Sequence, residues 1–155
     1  MEFDAASLAT LGGALALVGG LIGSAIGIGV AGSSGAATLS EDSGQLRNVI
    51  LLASLPMTQT FYGLIVLIII ITSVVPTISG VSSGLIVLGA GIITAGAECF
   101  SGIYQGKICA SGISLLIKTR GKILVNAMML AVFVELLGVL GLVFSIMTLS
   151  MLGLI

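Results

Sequence analysis

Residues 48–97 read NVILLASLPMTQTFYGLIVLIIIITSVVPTISGVSSGLIVLGAGIITAGA and contain no Asp, Glu, Lys or Arg. A helix crosses a bilayer with about 20 apolar residues, so this run is long enough for two crossings and must turn near its middle. Val74-Val75-Pro76-Thr77-Ile78-Ser79-Gly80 supplies the Pro, Gly and hydroxyls of that turn. Working outward, residues 5–40 form another charge-free run, and from Ile123 to Ile155 the one charge is Glu135. Polar breaks at Ser40-Glu41-Asp42-Ser43-Gly44 and Lys118-Thr119-Arg120-Gly121-Lys122 separate these segments. The pattern predicts an all-α membrane protein with four transmembrane helices, over roughly 6–38, 46–73, 82–117 and 122–153.

Composition agrees. The chain has 155 residues, 57% hydrophobic and 7% charged, with a mean hydropathy of +1.33. Soluble domains carry about 25% charged residues, so neither a solvated domain nor a catalytic site housed in one is expected. The net charge of −1 is uninformative about anionic partners, and no nucleic-acid partner is expected. Glu2 and Asp4 give no basic leader, which argues against a cleaved signal peptide. Arg47, Lys118, Arg120 and Lys122 flank the 1–2 and 3–4 loops, whereas the 2–3 loop and both ends carry no basic residue. That asymmetry predicts the two basic loops in the cytoplasm and the termini outside. Cys99 and Cys109 fall on different faces of the third helix and read as packing residues.

The two halves of the chain resemble each other. Gly23-Ser24-Ala25-Ile26-Gly27-Ile28-Gly29 matches Phe100-Ser101-Gly102-Ile103-Tyr104-Gln105-Gly106, and MTQTFYGLIV from Met57 lies over ELLGVLGLVF from Glu135, with Gly63 opposite Gly141. This predicts two tandem hairpins of the same topology, a parallel repeat: a first hairpin over 1–75 without the mid-membrane carboxylate and a second over 76–155 that carries it as Glu135. Met57 stands where the second hairpin has its acid. Gly19, Gly23 and Gly27 form an i, i+4 stripe, as do Gly102, Gly106 and Ala110. Such stripes let helix backbones approach closely in lipid. With the bulkier second and fourth helices outside, they suit a curved ring, although a compact four-helix bundle would use them too. Gly27-Ile28-Gly29-Val30-Ala31-Gly32 matches the dinucleotide pattern G-x-G-x-x-G but lacks the preceding strand and the following acid. It reads as helix-packing glycine.

Polar residues gather at one depth. Leu55, Pro56, Thr58 and Gln59 lie about 9–13 residues into the second helix, Gln105 about 12 before the end of the third, and Glu135 about 13 into the fourth; at 1.5 Å per residue all reach a level roughly 14–20 Å from the cytoplasmic turns. An ionised carboxylate there costs at least about 2.5 kcal/mol even on the mildest scale, which marks Glu135 as functional. Pro56 lacks an N–H and frees backbone carbonyls nearby. A carbonyl from this stretch, Thr58, Gln59, Gln105 and Glu135 form an all-oxygen set suited to a hard cation, and one carboxylate balances one positive charge. A monovalent ion therefore fits better than Ca²⁺ or Zn²⁺, and with no His and no clustered Cys a transition-metal site is not expected. Tyr62, one turn beyond Thr58, is placed to donate to Glu135. Taken singly, each glutamine would read as an interhelical hydrogen-bonding residue.

LPMTQTFYG from Leu55, FSGIYQGK from Phe100 and FVELLGVLG around Glu135 resemble the proteolipid ring (K or c) subunit of V-type rotary ATPases, in the sodium-translocating bacterial branch. The resemblance spans essentially the whole chain. It implies a homo-oligomeric rotor ring in the bacterial plasma membrane that turns against a stator subunit with an essential arginine. Central-stalk subunits would sit on the cytoplasmic loops, and ATP hydrolysis would lie in other subunits. It further implies Na⁺ as the transported ion, with ligands at the Leu55 carbonyl, Thr58, Gln59, Gln105 and Glu135, and Tyr62 locking the carboxylate. Lys107 would snorkel toward the cytoplasmic interface. Glu98 departs from the family, which leaves that position small. Three readings stay open for it: a residue lining the ring lumen, a protonated and hydrogen-bonded carboxyl, or a second transported ion. Rival functions are the same ring carrying H⁺, a small four-helix antiporter for cationic drugs, and a purely structural or channel-forming tetraspan. The drug site would want aromatic walls, and this chain has no Trp and 5% aromatic residues.

Overall fold

The computed structural model describes residues 4–155; residues 1–3, including Glu2 of the leader argument, lie outside the described residues. Four helical rods are long and apolar enough to cross a membrane: Ala5–Glu41, Ser43–Val74, Val81–Ser114 and Leu124–Met151. They are referred to as the first to fourth helices. No strand occurs among the described residues, and the expected all-α fold of four spans is what forms.

Local chemistry sets the boundaries. Asp4 caps the first helix, its side chain accepting from the Ser7 N–H at 2.7 Å. Hydrogen bonding from Ser7 holds the exposed Asp4 carboxyl below the usual carboxylate range. Asp42 breaks the chain in an extended conformation and accepts from Gly44 N–H at 2.9 Å, which starts the second helix. That helix is not uniform. It tightens to a 3₁₀ turn at Leu55–Met57, around Pro56, and widens to a π turn at Ile70–Val74. The third helix ends at Ser114, earlier than expected, because Leu115 N–H turns back to the Gly112 carbonyl at 3.2 Å. One separate turn, Leu116–Thr119, follows. Its end is closed by Gly121 N–H on the Leu116 carbonyl at 2.8 Å and Arg120 N–H on Ile117 at 3.1 Å, the crossed pair that ends many helices. The closure needs left-handed backbone, found at Arg120 (φ 51°) and Gly121 (φ 78°). Glycine adopts it freely; arginine does so at a cost.

Packing follows the small-residue stripes. The first and third helices meet backbone to backbone, Gly12 on Val87 and Leu88, Gly23 on Glu98 and Cys99, Gly106 on Gly27. A methyl group on Gly23 would lie 2.6 Å from the Glu98 carbonyl oxygen, closer than any real side chain comes. Each outer helix then lays an equivalent glycine on its own inner helix, Gly63 on Ala16 and Leu17, Gly141 on Thr94 and Ala97. The repeat read in the sequence is thus a repeat in space. Gly29 and Gly32 meet nothing within 4 Å. Of the glycines in the rejected nucleotide pattern, only Gly27 packs against another helix within the chain.

Buried apolar residues form two clusters. One holds Val49, Leu52, Cys109, Ile113, Leu116 and Ala131, toward the polar loops. The other holds Ala16, Val66, Ile70, Val74, Val87 and Leu149, toward the opposite end. Between them runs a stretch, about three turns long on the third helix, where buried residues are polar: Ser24, Gln59, Thr94, Glu98, Ser101, Gln105 and Ser145. Both cysteines are free, Cys109 buried and Cys99 half-buried.

Candidate cation site

The candidate site is built around Glu135, near the middle of the fourth helix. Its Oε1 accepts from the Tyr62 hydroxyl at 2.9 Å, and its Oε2 accepts from Gln105 Nε2 at 3.2 Å. Gln105 Oε1 in turn accepts from Gln59 Nε2 at 2.9 Å. Both glutamines are fully buried, at 0% exposure. The Thr58 hydroxyl lies 3.3 Å from Gln59 Oε1 and 3.2 Å from the Leu55 carbonyl. The six residues picked out in the sequence therefore form one connected set, drawn from the second, third and fourth helices.

Pro56 explains how the second helix reaches in. Its ring sits against Gly27, where a Cβ would come within 2.7 Å, and the tightened turn around it places Leu55, Thr58 and Gln59 side by side. The Leu55 carbonyl is not released by the proline: it accepts from Thr58 N–H as well as from the Thr58 hydroxyl. A carbonyl oxygen has two lone pairs, so it keeps the character of a ligand, but it is shared. Hydrogen bonds to the first helix fix the register, with Thr60 N–H donating to Ser24 Oγ at 3.2 Å and the Thr60 hydroxyl to the Gly20 carbonyl at 3.3 Å.

Chemically, the arrangement suits a small hard cation. A carboxylate has about four acceptor positions, and two donors occupy Glu135, so oxygen lone pairs remain. Hydrogen bonds to a charged group are worth about 1.5–3 kcal/mol each, which holds the acid in place without cancelling its charge. Among the described residues, no group of three or more His, Cys, Asp or Glu side chains is placed to hold a metal ion.

Some of the network was not anticipated. Ser101 accepts from Gln59 Nε2 at 3.1 Å and donates to the Val134 carbonyl at 2.9 Å, tying the third helix to the fourth one turn from Gln105. Its position four residues before Gln105, on the same helix face, was the available signal. Lys107 lies with its Nζ 4.5 Å from the centre of the Tyr104 ring, a cation–π contact on the exposed outer face. Glu98 is fully buried at 0% exposure, enclosed between the third and fourth helices opposite Gly138 and Gly141. That overturns the reading in which it lines the ring lumen. The hydrogen-bonded reading is not met either, because neither carboxyl oxygen has a partner.

Comparison with known proteins places the chain in context. A family model described as the C subunit of ATP synthase matches twice, over residues 11–70 and 88–148, once per hairpin. The V-type sodium ATPase subunit K of Enterococcus hirae is 36% identical over 124 residues, covering 80% of this chain and 78% of that protein. The A-type ATP synthase subunit K of Methanocaldococcus jannaschii is 32% identical over 146 residues, covering 94% of this chain; the chain spans 63% of that relative's length.

Proposed function

The chain belongs to the family of ATP synthase C subunits, and from that membership we propose that it is the rotor-ring proteolipid of a V- or A-type ATPase, carrying Na⁺ at Glu135. The observation that carries the reading is the hydrogen-bonded set Thr58–Gln59–Gln105–Glu135–Tyr62, assembled between spans where no bulk water can replace its members. The Na⁺ ligands are the Leu55 carbonyl, Thr58, Gln59, Gln105 and Glu135, and Tyr62 holds the carboxylate closed. The sodium ATPase named among the relatives supports Na⁺ over H⁺. So does the presence of two buried amides, which a proton would not need. Gln105 presents its amide nitrogen to Glu135. A half-turn of that amide exchanges nitrogen for oxygen in the same shape, and Ser101 still accepts from Gln59 when the Gln59–Gln105 bond opens.

Loaded, the site is neutral overall, so it can travel through lipid without the desolvation cost of a bare charge. Empty, Glu135 is a charge that must face a cation, which is the role of the stator arginine. One acid in the cation site, Glu135, per pair of hairpins, 1–75 and 76–155, makes each subunit one ion step. The subunit is non-catalytic, with hydrolysis in other subunits. The ring lies in the bacterial plasma membrane, with the 1–2 and 3–4 loops on the cytoplasmic, stalk-facing side and the termini outside. The test is ATP hydrolysis by the reconstituted complex across a Na⁺ titration. Na⁺ stimulation that is lost in Glu135→Gln supports the reading; full coupled activity in that variant contradicts it, and indifference to Na⁺ at fixed pH favours the proton.

A further inference from the structure

The most unusual group outside the site is Glu98. It lies near the middle of the third helix, has no exposed surface, and neither carboxyl oxygen has a hydrogen-bond partner. Its space is made by missing side chains on the fourth helix. A Cβ on Gly138 would fall 2.7 Å from Glu98 Oε2, and one on Gly141 would fall 3.6 Å from Oε1. Thr94, Glu98, Ser101 and Gln105 follow one another at i, i+4, i+7 and i+11, one face of a helix. They pack along Glu135, Gly138, Gly141 and Ser145. Glu98 is therefore a member of a polar seam that runs on from the cation site between the same two helices.

We propose that Glu98 is a second ion-holding carboxyl, a site for one proton occluded between the third and fourth helices. A dehydrated carboxylate with no donor and no counter-ion is strongly disfavoured, so the group must bind a positive charge. The surroundings decide which. A metal ion needs a shell of oxygen ligands, and here the facing residues Gly138 and Gly141 have no side chains to give. The nearby hydroxyls hydrogen-bond elsewhere, Thr94 with the Ala90 and Gly141 carbonyls and Ser145, and Ser101 with Val134 and Gln59, and neither meets a Glu98 oxygen. A proton needs no shell. The ionisable groups near enough to act on Glu98 are Glu135 on the fourth helix and Tyr62 on the second; the first helix, charge-free from residue 5 to 40, brings none. A proton on Glu98 leaves Glu135 as the single exchangeable charge of the seam. The proposal rests on burial within the membrane and is independent of which cation Glu135 carries.

Infrared spectroscopy of the purified, vesicle-reconstituted protein at neutral pH tests this. Solvated carboxyls, such as those at the ends of the spans, are ionised there. Glu135→Gln removes the other membrane acid, so a carboxylic-acid C=O absorption of about one group per chain is expected in that variant and should vanish when Glu98→Gln is added. If the double variant does not assemble, the Glu135→Gln spectrum decides alone: a carboxylate band with no acid band overturns the proposal. Equilibrium Na⁺ binding gives an independent reading. The Glu135→Gln protein should bind no Na⁺, and a Na⁺ bound by it would place a metal at Glu98 and overturn the proton assignment.

Discussion

The Tyr62 hydroxyl donates to Glu135 Oε1 at 2.9 Å, joining the second helix to the fourth across 73 positions of sequence. Tyr62 and Glu135 are both half-buried, so the bond sits where the site opens to the outer face of the hairpin pair. In the proposed function this donor holds the acid turned inward, and releasing it lets the acid reach outward.

Tyr62→Phe removes the donor and leaves the ring. A hydrogen bond to a charged group is worth about 1.5–3 kcal/mol, and partial exposure lowers that, so the Na⁺ half-saturation of ATP hydrolysis should rise roughly five- to tenfold. Maximal rate at saturating Na⁺ should hold or increase. An unchanged half-saturation would show that the bond does not lock the carboxylate.

Gln105→Leu keeps the bulk of the side chain and removes both amide atoms. It also leaves Gln59 Nε2 with Ser101 as its one acceptor. An orphaned buried polar group costs about 1–3 kcal/mol, so Na⁺ affinity should fall by roughly one to two orders of magnitude, read by equilibrium Na⁺ binding. Proton-driven turnover would be insensitive to this change, and near-normal activity without added Na⁺ would favour protons.

Gly102 and Gly29 separate packing from mere glycine content. Gly102 lies against the Gly23 and Ser24 backbone, where a Cβ has no room, while Gly29 meets nothing within 4 Å inside the chain. Gly102→Val should therefore prevent the first and third helices from docking and abolish assembly, seen as loss of the high-mass oligomer in native mass spectrometry. Gly29→Ala should leave the fold of the subunit intact by circular dichroism. Equal tolerance of both would mean that the helices do not meet as described.

Much of this was legible in the sequence because a membrane forces each choice. A charge-free run of twice the spanning length has to turn, and Pro76 and Gly80 mark where it does. Amides and an acid at equal depths have to find one another, and Gln59, Gln105 and Glu135 do. What the sequence did not disclose depends on helix rotation and local winding. Pro56 does not show in advance the 3₁₀ turn that keeps the Leu55 oxygen hydrogen-bonded to Thr58 N–H. Glu98 looked able to face a lumen, because depth alone does not say which way a side chain points; the glycines at 138 and 141 turn out to shape its enclosure. Ser101, a single serine in a glycine-rich helix, carries little signal without its partners Gln59 and Val134.

The central claim is that Glu135 is a cation ligand and not merely a protonated acid, and carbodiimide modification of that residue tests it most directly. The reagent attacks the protonated carboxyl, so its rate at constant pH reports whether another ion occupies the site. The account predicts that millimolar Na⁺ slows labelling of Glu135 in a saturable way, with K⁺ at the same ionic strength far less effective. A labelling rate indifferent to Na⁺ would contradict it.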